Sequence, residues 1–175
     1  MSTLDAFACK KIAGKTLPRG IIAYRMDRHT GQQGDMREIE GLDLGGCSCC
    51  DYFIIRNNSI VLIETTHLQC KIRDIGKECG DMGMAKGATN KHIKNELRRE
   101  HALKIYCSLL MLCRLSALCS RIKNDLEGKK YQVWIINKSG ETDPIELASR
   151  LAGTLSKAVG TIDIMSTDDM KKSLV

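Results

Sequence analysis

The chain has 175 residues, 43% of them hydrophobic, with a formal charge of +6 and nine cysteines. That length suits one domain with its own core and is short for two. No run of about 18 apolar residues suggests a bilayer span, the polar start Met1-Ser2-Thr3-Leu4-Asp5 lacks a signal-peptide core, and an odd cysteine count argues against a secreted disulfide framework.

A single intracellular, cytoplasmic domain over 1–175 is therefore expected, with its core over about 20–165 and no membrane partner. The mild positive charge permits contact with nucleic acid without demanding it.

In chain order, residues 20–25 suit a strand, residues 35–42 suit a short helix, and Gly45-Gly46 marks a turn. Residues 51–56 and 59–65 are two runs rich in β-branched and aromatic side chains, separated by Asn57-Asn58. Asparagine tolerates the left-handed conformation of a two-residue hairpin turn. Both faces of the hairpin are apolar: Phe53, Ile55, Ile60 and Leu62 on one, Tyr52, Ile54, Val61 and Ile63 on the other. Such strands lie inside a layered fold, covered on both sides. Residues 76–90 hold four glycines and read as a loop. Residues 91–126 carry apolar positions at near-helical spacing and read as one long helix closed by Gly128. Cys107, Cys113 and Cys119 read as small core residues within it. Residues 131–136 form a third strong strand, whose Trp134 reads as core. Asp143, Pro144 and Glu146 predict a helix start, Gly160 its end, and residues 161–165 a last strand. A helix between strands implies an α/β fold, a mixed central sheet flanked by helices.

If Asn57 and Asn58 form the turn, cross-strand partners sum to 115, and Asp51 faces Glu64. Directly opposite residues have Cβ atoms about 5 Å apart. Two like charges in a buried sheet need compensation by a divalent cation, a basic partner, or a raised pKa on one carboxyl. Solvation at a frayed strand end is the bland alternative. A hard cation such as Mg²⁺ takes one or two carboxylates plus water and substrate phosphate, and it can activate water against a phosphodiester.

The run Cys50-Asp51-Tyr52-Phe53-Ile54-Ile55, followed by Ile60-Val61-Leu62-Ile63-Glu64-Thr65-Thr66, then a long helix and a strand, resembles the PD-(D/E)xK nuclease core. The resemblance covers about residues 45–137. It implies a restriction-endonuclease-like fold and Mg²⁺- or Mn²⁺-dependent cleavage of DNA or RNA. Asp51 and Glu64 would hold the metal, and Glu38 or Glu40 would fill the role of a helical glutamate. Thr66 stands at the lysine position and supplies no charge. In some members that lysine sits on the following helix, which makes Lys71, Lys91 and Lys94 candidates. His67 is a candidate acid or base beside the carboxylates. Lys91, Lys94, Arg98 and Arg99 are candidate phosphate contacts, with a solvated helix face as the plain alternative.

Two other readings stay open. One is a catalytically degraded relative that binds nucleic acid or protein, within a larger defence or mobile-element assembly; on either reading the resemblance also implies a homodimer. The other is a small interaction protein holding zinc at Cys47, Cys49, Cys50, His67, Cys70 or Cys79, although Cys-x-Cys-Cys is not the usual zinc spacing. Seven aromatic residues in the chain give little basis for a base-stacking platform.

Overall fold

The structure is a computed structural model that describes residues 4–27, 36, 42, 48–138 and 161–174. The expected helix over 35–42 (apart from Met36 and Leu42), the turn at Gly45-Gly46 and the helix after Asp143 lie outside the described residues.

Eight strands are described: β1 (Ala8–Cys9), β2 (Lys11–Ile12), β3 (Lys15–Thr16), β4 (Ala23–Arg25), β5 (Tyr52–Ile55), β6 (Ser59–Thr66), β7 (Lys130–Asn137) and β8 (Thr161–Ser166). The helices are α1 (Leu68–Asp81), α2 (Lys86–Leu118), α3 (Ser120–Leu126) and α4 (Thr167–Ser173). A short 3₁₀ turn covers Asp5–Phe7. The main sheet runs β1-β4-β5-β6-β7-β8, and β2 and β3 pair apart from it. β4, β5 and β6 are antiparallel neighbours, whereas β6, β7 and β8 are parallel. This is the expected α/β architecture with a mixed sheet.

The two apolar faces of the hairpin explain the layering. Phe53, Ile60 and Leu62 pack with Ile105, Met111, Leu112 and Leu115 of α2. Ile54, Val61 and Ile63 pack with Trp134, Met170 and Leu174 on the other face, closed by Ile12 and Leu17 from the β2–β3 hairpin. β6 is buried from Ile60 to its end, as a strand covered on both sides should be.

Two expectations for the helices are corrected. Residues 76–90 are not a loop: α1 runs through Gly76 and Gly80 and stops only where Gly83 turns left-handed at φ 68°. The Met84 and Gly83 amides donate back to the Cys79 and Gly80 carbonyls at 3.0 and 2.9 Å, closing the helix end. Each helical glycine costs about 1 kcal/mol against alanine. Packing of Ile72 and Ile75 with Leu68, Ile93 and Leu97 offsets that.

The long helix is also two helices. It begins at Lys86, and Cys119 takes an extended conformation that separates α2 from α3. No proline or glycine stands at that break. Cys107 and Cys119 touch the core as expected, but Cys113 is exposed. Contrary to the apolar-run expectation, α2 is long and apolar enough by length and composition to cross a membrane. Here one of its faces packs on the sheet, while Leu103, Tyr106, Leu110 and Leu118 are exposed.

Candidate functional site

The site forms where β5 begins and β6 ends. The hairpin register is Tyr52↔Ile63 through Ile55↔Ile60, and the Arg56 amide donates to the Ser59 carbonyl at 2.8 Å across Asn57-Asn58. One step outward, that register sets Asp51 opposite Glu64. Both carboxylates are buried, at 6% and 2% exposure, so they are not frayed and solvated.

Asp51 is held through its backbone carbonyl and one carboxylate oxygen. Its carbonyl accepts the Met26 amide at 2.9 Å, which ties it to the end of β4. Its Oδ2 accepts the Thr65 amide at 2.8 Å and the Thr65 hydroxyl at 2.5 Å. Next to it, the Cys50 amide donates to Ser108 Oγ at 2.8 Å, and Ser108 donates to the Lys104 carbonyl at 2.7 Å. Ser108 therefore fixes the register of α2 against the start of β5, and with it the position of Lys104.

Lys104 is a central residue that sequence reasoning missed, as are Asp27 and Lys138, which line one cleft with it. Lys104 Nζ lies 2.5 Å from Glu64 Oε1 and 3.7 Å from Glu100. Glu100 also pairs with Lys71 of α1. Lys71, Glu100, Lys104 and Glu64 thus form an alternating chain of charge ending at the carboxylate pair. Burial first, and then the Asp51 charge, push the Glu64 pKa up to about 7 despite the opposing pull of Lys104. Burial pulls the Lys104 pKa down, but Glu64, Asp51 and Glu100 together raise it above the ordinary lysine value. Burial pushes Glu100 up as well, and its ion pair with Lys71 outweighs this, leaving a net lowering.

Three unpartnered polar groups sit in the same region. Among the described residues, Glu64 Oε2 and the Thr66 hydroxyl have no hydrogen-bond partner, and neither do the two ring nitrogens of His101. Burial lowers the His101 pKa to about 4, so the ring is neutral at pH 7. His101 lies on α2 one turn before Lys104 and was not foreseen as a site neighbour.

Glu64 and Thr66, but not His101, line a cleft of about 370 Å³ together with Asp51, His67, Lys71 and Lys104, among others. The structure therefore brings together Asp51, Glu64, Thr66, His67 and Lys71 of the expected set. His67 stands exposed at the start of α1. Lys91 and Lys94 are not cleft residues: Lys94 precedes Lys104 by ten helical positions, about 15 Å along the axis. Arg98 and Arg99 are exposed on α2 and do not line the cleft. Glu38 and Glu40 lie outside the described residues.

The donor set suits a hard divalent cation. Two carboxylates, one with an unpartnered buried oxygen, and a nearby hydroxyl match the sparse oxygen coordination that leaves Mg²⁺ its waters. No group of three His, Cys, Asp or Glu side chains with metal-binding geometry occurs among the described residues. Zinc is less well served. Cys47 lies outside the described residues, and Cys49, Cys50 and Cys79 are buried. No protein-family model, no curated protein and no solved structure matches the chain.

Proposed function

We propose that this protein is a divalent-metal-dependent nuclease with a restriction-endonuclease-like core, cleaving phosphodiester bonds in DNA or RNA. The reading rests on one observation: Asp51 and Glu64 share a cleft with Lys104, which reaches Glu64 from a different element. The antiparallel β4–β5–β6 unit followed by helices and the parallel β7 supports the same reading.

Asp51 and Glu64 would hold Mg²⁺ or Mn²⁺, which supplies a polarised water and a counter-charge for the phosphate. Thr65 fixes Asp51 for that task through two hydrogen bonds. Lys104 favours the ionised form of Glu64 and places a positive charge where the attacked phosphate gains negative charge. It thereby fills the role that Thr66 leaves empty. His67, at the rim, is within the cleft wall and available to a leaving group.

A non-catalytic binding protein is the second reading, and the uncharged Thr66 favours it. Lys104 answers that objection, so hydrolysis is preferred. The test is incubation of plasmid, oligodeoxynucleotide and RNA with Mn²⁺. Cleavage abolished by EDTA, by Asp51→Ala and by Glu64→Ala is expected. Binding without cleavage, indifferent to both substitutions, would establish the second reading instead.

A further inference from the structure

The first turn of α1 forms one wall of the cleft. α1 has 14 residues, His67 gives it no side-chain cap, and its first turn carries no acidic residue. The opening amides of a helix have no intrahelical partners and attract anions. Here the Leu68 amide donates to Asn137 Oδ1 at 3.3 Å and the Lys71 amide to the His67 carbonyl at 3.1 Å. Cys70, between them, lines the cleft.

A second, independent feature points to a ligand at this wall. Thr66, only 3% exposed, lines the same cleft, and its buried hydroxyl has no hydrogen-bond partner among the described residues. A buried hydroxyl without a partner is costly, and a ligand oxygen would satisfy it. Lys71, one turn into α1, brings an ammonium. Its present partner is Glu100, in a pair whose side chains are 30% and 37% exposed. A pair that exposed exchanges partners at little cost.

Resting on the nuclease reading, we propose that the first turn of α1 at Cys70, the Thr66 hydroxyl and Lys71 form a subsite for one phosphate of the nucleic-acid strand, beside the carboxylate pair. Glu100 holds Lys71 in place until that phosphate arrives. The phosphate then takes the Lys71 ammonium, and Glu100 retains Lys104. Lys71 is thus a substrate-binding residue and Glu100 a positioning residue that competes with the substrate.

The experiment is fluorescence-anisotropy binding of a labelled oligonucleotide without divalent ions, so that no cleavage occurs, across a range of salt. Lys71→Met is expected to weaken binding about 10-fold and to reduce the salt slope by about one. Glu100→Gln, which removes the competing charge, is expected to tighten binding several-fold. A merely structural ion pair predicts the opposite pattern, in which both variants bind like wild type and lose thermal stability together; that result would overturn the subsite. Wild-type protein that cleaves no nucleic acid in Mn²⁺ would defeat the nuclease reading instead. In that event, inorganic phosphate is titrated against the amide resonances of Cys70 and Lys71. Shifts that Lys71→Met abolishes would uphold the subsite, and their absence would remove it too.

Discussion

Lys104 Nζ reaches Glu64 Oε1 at 2.5 Å across a gap of 40 residues in the chain. This contact makes the carboxylate pair tenable, because it supplies the cation that two buried like charges require. Lys104→Met should lower kcat/KM for cleavage about 100-fold or more. It should also move the acidic limb of the pH–rate profile upward, since Lys104 holds the Glu64 pKa down. Lys104→Arg should recover part of the loss. An unchanged profile in Lys104→Met would remove Lys104 from the site.

Glu64 should titrate near neutrality. Its folded pKa of about 7 exceeds the ordinary 4.5, so the folded chain keeps a proton that the unfolded chain has released. The resulting stability is fully present below about pH 4.5 and is lost as pH rises through about 7. A bound cation acts in the other direction by favouring the carboxylate. Carboxyl ¹³C NMR should show a midpoint near 7 for Glu64, moved downward by Mg²⁺. Mg²⁺ should correspondingly raise the melting temperature more at pH 8 than at pH 6. A midpoint near 4.5 without metal would contradict this.

Thr65 orients Asp51 rather than binding anything itself. Thr65→Val keeps the amide bond to Asp51 and deletes the hydroxyl bond. Second partners of this kind are worth about 10-fold in metal affinity. A calorimetric Mn²⁺ titration should therefore show a comparable loss with little change in fold stability. Thr65→Ser, which restores the hydroxyl, should regain most of it.

His101 is a buried ring whose two nitrogens have no hydrogen-bond partner among the described residues. Its folded pKa of about 4 lies below the ordinary 6.5, so stability is present above about pH 6.5 and is lost as pH falls through about 4. His101→Leu should remove this dependence and exceed wild type by about 2–3 kcal/mol at pH 4–5 in urea unfolding. A variant weaker than wild type at acid pH would show that the ring has a partner in solution.

The hairpin was legible because any short symmetric loop centred on Asn57-Asn58 fixes the register of everything beyond it, although neither asparagine takes the expected left-handed conformation, and Asp51 opposite Glu64 follows by counting. The cation was not legible by counting. Its trace was present, however: His101, Lys104 and Ser108 interrupt the apolar, sheet-facing side of α2 with polar groups at helical spacing. The end of α1 reads as loop because two of the four glycines over 76–90, Gly76 and Gly80, fall inside it, outweighing the spacing of Leu68, Ile72, Ile75 and Cys79, which marks an apolar helix face. Packing against Ile93 and Leu97 then overrode local propensity. The short strands β1 to β3 carry two residues each, too few for any periodicity to show.

Calorimetric titration of Mn²⁺ into wild type, Asp51→Asn and Glu64→Gln at pH 8 is the most direct test of the centre. One ion per chain is predicted for wild type, with affinity reduced at least about 10-fold in each variant. Wild-type protein that takes up no ion, or variants that bind it equally well, would contradict a metal centre built on these two carboxylates.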